Sequence, residues 1–486
     1  MVNNNDEKST IKEKVKILIN ENDLSKASEL LQKYEISYSD DIEIFSIKAV
    51  ILMLSGKLDE AESVLLEGSS VDPSNFDINY NLGYIYEQKQ MFDLAVQYYT
   101  NAFYLCSDNE LREKVKVLVR KCRYNNEVAE LSKNSSIKKV LFIQSVPDIR
   151  TNKIAKVINK KNIQVDIMYF LMHPKDVYKG LDLPYTNYIR IRDVKKMINF
   201  INESDYDILM SCNEPDFFSA LLTTTNKPMI HDCHDMMSLR GDITNEQITV
   251  EYLANSKSDG NIYVTELVKR IAENKFSIDN KPIMILDNYI LREQLPGKFL
   301  DKLSERDKEI HCVYEGGLTH IENHHRNIQD FFLALAKNKI HVHYYATFEN
   351  KHYRALAEKS EYLHCEETKE PSELITDMTK YDIGLTILNV TDRNKTFLDT
   401  TFPNKAWDYL AAGLPVLFSN LASFRYFLQH HDVGAIIDFN DDLVKQVSKV
   451  IEINIPKDYL VSNRLCMDDY ADEIIAFMER VKQSKQ

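Results

Sequence analysis

From Lys139 onward, short apolar runs alternate with amphipathic stretches. KVLFIQSV (139–146) is β-branched, apolar and of strand length, TNKIAKVINKK (151–161) has helical spacing, and IQVDIMYF (163–170) is a second strand. YDILMSC, PMIHDC, GNIYVT and PIMILDN continue the strand series, with the helix EPDFFSALLTTT after the first of them. The alternation restarts at EIHCVYEGG, a strand ending in a glycine turn. It continues through the helix NIQDFFLALAK, the strand IHVHYYAT, the helix SELITDMTK, the strand YDIGLTIL, the helix PNKAWDYLAAG and the strand LPVLFS. Strands alternating with helices imply right-handed crossovers and mostly parallel sheets. Two consecutive doubly wound α/β domains are therefore predicted, at 137–300 and 301–465. Ligands of such sheets bind beyond the carboxyl ends of the strands, so a cleft between two such edges suits one substrate per domain. The closing stretch, 466–486, places Ala471, Ile474, Ile475, Phe477, Met478 and Val481 at helical spacing.

The first 130 residues follow a different rule. Ala27, Ala61 and Ala95 stand 34 residues apart, and Asn22, Gly56 and Gln90 precede them at the same interval. A 34-residue period with small residues at fixed places is the mark of tetratricopeptide helix pairs, and 8–130 resembles that family. The small residue lets antiparallel helices approach, and Asn or Gly at the turn accepts the left-handed conformation that ends a helix. Asp72-Pro73 closes one pair, and Leu82, Gly83, Tyr84 and Tyr86 open the next. Such repeats stack into a surface that holds a peptide or protein, the bland alternative being scaffolding or dimerisation. Asn134, Ser135 and Ser136 read as the linker that follows.

Composition narrows the choice of partners. A formal charge of −14 argues against a nucleic-acid partner, which needs a basic face. No apolar run approaches the roughly 18 residues that span a bilayer, and the polar start lacks a signal-peptide core. Seven scattered cysteines without a CxxC pair fit free thiols in a reducing compartment. The expected location is cytoplasmic, peripheral to the membrane only through partners.

Three motifs carry the chemistry. TFPNKAWDYLAAGLPVLFSN (401–420) resembles the donor-binding segment of GT-B glycosyltransferases, especially those like family 4, with Pro403, Lys405, Asp408, Tyr409, Leu410, Ala411, Gly413, Pro415 and Val416 matching. Phe402, Pro403, Asn404 and Lys405 would open a helix whose N–H groups and dipole favour a diphosphate, and Lys405 adds a charge. Asp408, one turn on, would accept hydrogen bonds from ribose hydroxyls. Many relatives carry a second acid eight positions earlier, where this chain has Thr400 with Asp399 beside it. CVYEGGLTHIENHHRN (312–327) resembles the strand and glycine loop that open the C-terminal GT-B domain. Gly316 and Gly317 would admit the donor to the backbone, and Arg326 would clamp the diphosphate through its planar fork. A metal on His320, His324 and His325 is the rival reading of that loop. HDCHDMMSLRGD (231–242) lies where GT-B enzymes carry a His or acid facing the sugar and acceptor; His234, Asp235 and then Asp232 are the catalytic candidates. A structural loop, or a zinc site from His231, Cys233, His234 and Asp235, are the alternatives there, although neighbours in a strand point to opposite faces.

The resemblance spans 138–484, with Asn288 at the family's usual Asn and a closing helix expected to cross back to the first α/β domain. SVPDIRT fits the family's first loop poorly. The fold class expected is α+α/β multidomain, a helical tetratricopeptide solenoid followed by two Rossmann-like domains. The implied activity is transfer of a sugar from a UDP- or GDP-linked donor to a hydroxyl of a protein or glycan acceptor. No cofactor or metal is required, and the repeats hold acceptor or partner. A non-catalytic scaffold and a nucleotide-sugar epimerase are the alternatives.

Overall fold

A computed structural model describes residues 4–177, 182–212, 215–241 and 243–485. It divides into two compact units, 1–134 and 135–486.

The first unit is built from helix pairs: α1 (Asn4–Asn20) with α2 (Leu24–Ser37), α3 (Glu43–Leu54) with α4 (Leu58–Val71), and α5 (Phe76–Gln88) with α6 (Phe92–Leu105). A long α7 (Asn109–Lys133) follows. Asn22, Gly56 and Gln90, the turn residues within the three pairs, have φ of 59°, 75° and 57°. These are the left-handed turns that the repeat predicts. Ala27, Ala61 and Ala95 are wholly buried between helices. A Cβ on Gly83 would stand 2.6 Å from the Tyr99 ring, so α5 and α6 touch too closely there for any larger residue. Asp72 caps the end of α4, and the Asn75 side chain accepts the Ile78 N–H at the start of α5.

The second unit holds two parallel sheets. The first contains β1 (Lys139–Gln144), β2 (Gln164–Tyr169), β3 (Tyr188–Ile189), β4 (Ile208–Cys212), β5 (Met229–Cys233), β6 (Gly260–Tyr263) and β7 (Ile283–Ile285), in the order β3-β2-β1-β4-β5-β6-β7. The second contains β8 (His311–Gly316), β9 (His341–Ala346), β10 (Leu363–Glu366), β11 (Ile383–Thr386), β12 (Val416–Phe418) and β13 (Gly434–Ile436), in the order β10-β9-β8-β11-β12-β13. The strand order reverses beside β1 in one sheet and beside β8 in the other. Those two reversals are where a doubly wound sheet opens a ligand crevice.

Central strands are apolar because both faces are covered: β4 and β5 are buried along their whole length. Ile474, Ile475, Phe477, Met478 and Val481 of the helix Ala471–Lys485 join Val140, Phe142, Ile154 and Ile167 in one core, so the chain's last helix packs on the first sheet. Lys482 binds Asp207 at 2.7 Å and Lys485 binds Asp259 at 3.0 Å along the same seam. Glu479 of this helix accepts the Ser136 N–H at 3.0 Å, which anchors the segment read as a linker.

Three strands depart from the sequence expectation. β3 and β10 are edge strands too short or too polar to read as apolar runs. β13 occupies the stretch taken for a loop at Gly434, where a Cβ would collide with the Val416 carbonyl at 1.9 Å.

Candidate functional site

The site begins at the end of β8. Gly316, at φ 123°, turns the chain, and a Cβ there would stand 3.2 Å from Lys405 Nζ. Lys405 lies in the first turn of the helix Asn404–Ala411, its Nζ 3.6 Å from the centre of the Tyr314 ring. Pro403 provides no capping side chain, so the N–H groups of that turn stay available to an anion. Asn404 Oδ1 is buried without a hydrogen bond. One turn further on, Asp408 shares a hydrogen bond with Glu315. Tyr409 fixes this arrangement: its hydroxyl accepts the Glu315 N–H at 2.9 Å and donates to the Leu385 carbonyl at 3.3 Å. The Tyr409 ring covers Gly384, where a Cβ would stand 2.3 Å away.

Crowding shifts Lys405, Glu315 and Asp408. Burial brings Lys405 down to about 7, against the pull of Glu315. Glu315 is driven well above the carboxylate range by burial and by the neighbouring Asp408, and Asp408 is raised by burial. Two carboxyls that share a site cannot both ionise cheaply, so Glu315 keeps the proton and donates it toward Asp408. Arg326 reaches the same place from the glycine loop: a Cβ on Gly317 would stand 2.6 Å from its Nη1. His325, brought down to about 4 by burial, also feels His324, Arg326, Lys405 and Arg240.

The first sheet contributes at its own reversal. Asp148 caps α8 (Ile149–Asn159), which follows β1 and carries Arg150 and Lys153. Lys153 is buried and its pKa is lowered by burial, opposed chiefly by Asp408. Its Nζ donates to the Asn288 carbonyl at 3.2 Å. Arg150 forms a two-point bond to Asp232 at 2.8 and 3.0 Å and a third to Asn288 Oδ1 at 2.9 Å. Lys153 of the first switch point thus lies within electrostatic reach of Asp408 and Glu315 of the second.

Of the expected donor residues, Gly316, Gly317, Arg326, Asn404, Lys405 and Asp408 gather here, with Pro403 at the head of the helix. Phe402 does not: it is buried among Trp407, Phe418, Phe424 and Phe427. Asp232 is placed inside the Arg150 pair, with no exposed surface. Asp235 accepts from Arg240 at 2.9 Å, and the Arg240 guanidinium lies 4.8 Å from the centre of the Phe397 ring in the second half. His234 is half-buried beside it, and Asp242, the last residue of that motif, lies outside the described residues. Thr400 is buried and donates to the Phe397 carbonyl at 2.7 Å, while Asp399 accepts the Ala422 N–H at 2.7 Å. Neither supplies a second acid beside Lys405.

The metal readings find no support in geometry. His231 turns to Ser219 (2.8 Å) and Asp216 (3.5 Å). His324 accepts the Arg326 N–H at 3.0 Å and stacks on His325. Among the described residues, neither set forms a cluster fit for a metal ion.

Reading the sequence missed Glu315, Arg150 and Lys153. Glu315 stood within a quoted motif, but only the fold shows that β8 delivers it to Asp408. Across the 404–411 helix lies a cavity of about 390 Å³ bounded by Thr265, Asp287, Tyr289, Trp407, Phe427 and His431, which shares only Phe402 with the expected donor residues.

A doubly wound pair of sheets with basic groups and carboxyls at facing switch points, in one chain with a helical repeat unit, defines the class of the molecule. Comparison with known proteins sharpens it. Residues 320–457 match the glucosyltransferase 3-like C-terminal domain, and residues 76–109 match a tetratricopeptide repeat. The chain thus joins a tetratricopeptide repeat to a domain that matches the C-terminal domain of glucosyltransferase 3-like proteins.

Solved structures with similar coordinates include a mutant O-GlcNAc transferase of Thermobaculum terrenum, at 11% identity and TM-score 0.46 over 100% of this chain and 99% of that one. A glycosyltransferase of Rickettsia africae follows at 12% and 0.47, over 71% and 93% of the two chains. A glycosyltransferase involved in avilamycin A biosynthesis stands at 11% and 0.43, over 71% and 98%. No curated protein matches the sequence.

Proposed function

We propose that the chain transfers a sugar from a nucleotide-sugar donor to a hydroxyl of a protein or glycan acceptor, without a catalytic metal. The carrying observation is Lys405 against the Gly316 turn with Asp408 hydrogen-bonded to Glu315, and Lys153 of the first sheet within electrostatic reach of both carboxyls. A nucleoside diphosphate resolves that crowding: its charge suits Lys405, Lys153, Arg326 and the open helix turn, which together stabilise it as a leaving group. Asp408, held by Glu315, takes the ribose hydroxyls. Residues 301–465 then bind the donor, and 137–300 present the acceptor, with the closing helix at 466–486 tying the two together. The acceptor hydroxyl attacks the anomeric carbon as the nucleoside diphosphate departs, and closure keeps out competing water. His234 and Asp235 are the groups proposed to meet that hydroxyl. Asp232 is proposed to hold Arg150 instead. The cavity at Trp407 offers the acceptor an aromatic wall. The repeats at 8–130 bind the acceptor protein or a partner.

The test is thermal stabilisation by UDP-, GDP-, CDP- and ADP-sugars, glucose-bearing donors first given the description of the matching domain. One nucleotide should raise the midpoint, and Lys405→Ala and Asp408→Ala should abolish the shift. A second reading, a repeat scaffold with an inactive transferase unit, draws on Thr400 and Asp399 being engaged elsewhere. Absence of a shift with every donor at saturation would favour it.

A further inference from the structure

At the opposite end of the second sheet from the donor residues stands a group of histidines that the transfer reaction does not use. His311 opens β8 and is in register with His341 of β9; His343 of β9 is in register with His364 of β10. In-register positions on parallel strands, and positions two apart, share a face. All four imidazoles therefore lie on one side of the sheet. The His311 and His341 rings stack at 4.4 Å with 4° between their planes, and His343 and His364 stack at 4.2 Å.

Their hydrogen bonds have a direction. His311 Nε2 meets Asp307 Oδ2 at 3.0 Å and His341 Nε2 meets Glu309 Oε2 at 2.6 Å. Behind them, His311 Nδ1 meets His343 Nε2 at 2.9 Å and His341 Nδ1 meets His364 Nε2 at 2.9 Å. His343 Nδ1 is held in turn by Glu366 Oε1 at 2.7 Å. Two imidazoles thus point one nitrogen toward a pair of carboxylates, each with its other nitrogen fixed by a second imidazole. That is the order of a metal centre, ligands in front and orienting partners behind.

We propose that Asp307, His311 and His341 form a zinc site, with Glu309 beside it on His341 Nε2. One ligand atom from each of the first three lies within 4.8 Å of the others. Tetrahedral zinc with bonds of about 2.0–2.1 Å separates its ligands by about 3.3 Å, so binding draws the wider pairs of the trio in by up to about 1.5 Å and turns the stacked His311 and His341 rings toward one point. The donor set, two imidazole nitrogens and carboxylate oxygens, is one zinc accepts readily. Asp307 is 45% exposed while His311 is 5% exposed, so the ion has a way in from solvent and a buried wall to rest on. The site would tie the 307–311 approach to β9 at the foot of β8, about 17 Å along the strand from Gly316. It braces the first crossover of the donor sheet and takes no part in transfer. The sequence sign was the HVH of β9, read only as a strand.

Zinc binding to the full chain, stripped with a chelator and dialysed against buffered Zn²⁺, tests this. One equivalent is expected, with a raised thermal midpoint. Asp307→Asn, an exposed change that leaves the fold intact, should weaken binding at least tenfold. His341→Gln should abolish it, and His343→Gln, a positioning change, should weaken it about 10–100-fold. The control His320→Gln/His352→Gln removes another stacked pair and should leave the stoichiometry at one. Failure of the full chain to hold zinc would overturn the site, as would zinc whose affinity is indifferent to Asp307→Asn.

Discussion

The two sheets of the second unit bring charge to the same topological place and treat it in opposite ways. At the reversal beside β1, Arg150 and Asp232 are buried and saturated: the guanidinium fills both carboxylate oxygens and Asn288, and Cys212 donates to Asp232 at 3.1 Å. At the reversal beside β8, Lys405, Glu315 and Asp408 are crowded, and burial lowers the lysine's pKa and raises those of both carboxyls. A pair whose hydrogen bonds close on themselves is architecture. A set left out of balance is arranged for something that arrives later, and perturbed groups concentrate at such sites for that reason. Lys153 belongs to the first sheet by position and to the second set by its charge environment.

The sharpest break in the comparison is Asp232→Ala. It strands a buried guanidinium, and removing one partner of such a pair costs about 3–5 kcal/mol. Urea unfolding of the full chain should show that loss; a change below about 1 kcal/mol would mean that water reaches Arg150 and that the pair is not closed.

Lys405→Ala should do the reverse. Loss of a group that stabilises developing charge lowers transfer about 10²–10³-fold. Stability should hold or rise, because the lysine is kept near neutrality by burial rather than favoured there. The same lysine sets a pH dependence. Its pKa of about 7 in the free protein should return toward 10.5 beside a diphosphate, so donor binding takes up a proton between those values. Affinity should therefore fall as pH rises through that window, and calorimetry in buffers of different ionisation enthalpy would count the proton. A flat profile, or a destabilised Lys405→Ala, would move the lysine to the architectural side.

What the sequence made legible follows the same division. The repeat turns at Asn22, Gly56 and Gln90 were readable because left-handed backbone has a local residue signature. The 401–420 motif was readable because one helix N-terminus carries most of its chemistry in consecutive residues. Glu315, Lys153 and Arg150 were hidden because their roles arise from contacts over 82 to 138 residues of chain in the case of Arg150, set by strand order rather than spacing. Asp232 looked catalytic in a row of His and Asp, and the fold turns it inward, since alternate residues of a central strand face opposite covered sides. Phe402 likewise looked like part of the anion site and instead packs into the aromatic core behind it.

Asp287 tests the boundary between the two treatments. It accepts from Trp407 Nε1 at 3.3 Å and is raised to about 7 by burial, against the Asn288 N–H and Arg150. A carboxyl raised in the folded state contributes stability below its unfolded value of 3.8 that is lost as pH climbs to about 7. Asp287→Asn keeps the carbonyl acceptor and removes the titration. The variant should exceed the wild type by up to about 4 kcal/mol above pH 7 and converge with it below pH 4 in thermal melts across pH. A constant gap at all pH values would show that the carboxyl does not change charge on folding.

The smallest expected effect is the most local. Gly317→Ala places a methyl 2.6 Å from Arg326 Nη1 and 3.1 Å from its Cδ. Those atoms end a flexible, exposed side chain, so the arginine swings aside and the fold is untouched. Gly317 has no left-handed φ to lose, unlike Gly316. The donor should then bind a few-fold more weakly, below about 1 kcal/mol, with an unchanged melting midpoint, because one contact of several to the diphosphate is displaced and not deleted. Gly316→Ala, by contrast, forces an alanine to φ 123° against Lys405 and should cost about 1–3 kcal/mol of stability along with binding. If both variants lose stability alike, the loop is part of the closed architecture. If only Gly316→Ala does, Gly317 is there to give Arg326 its place over the donor.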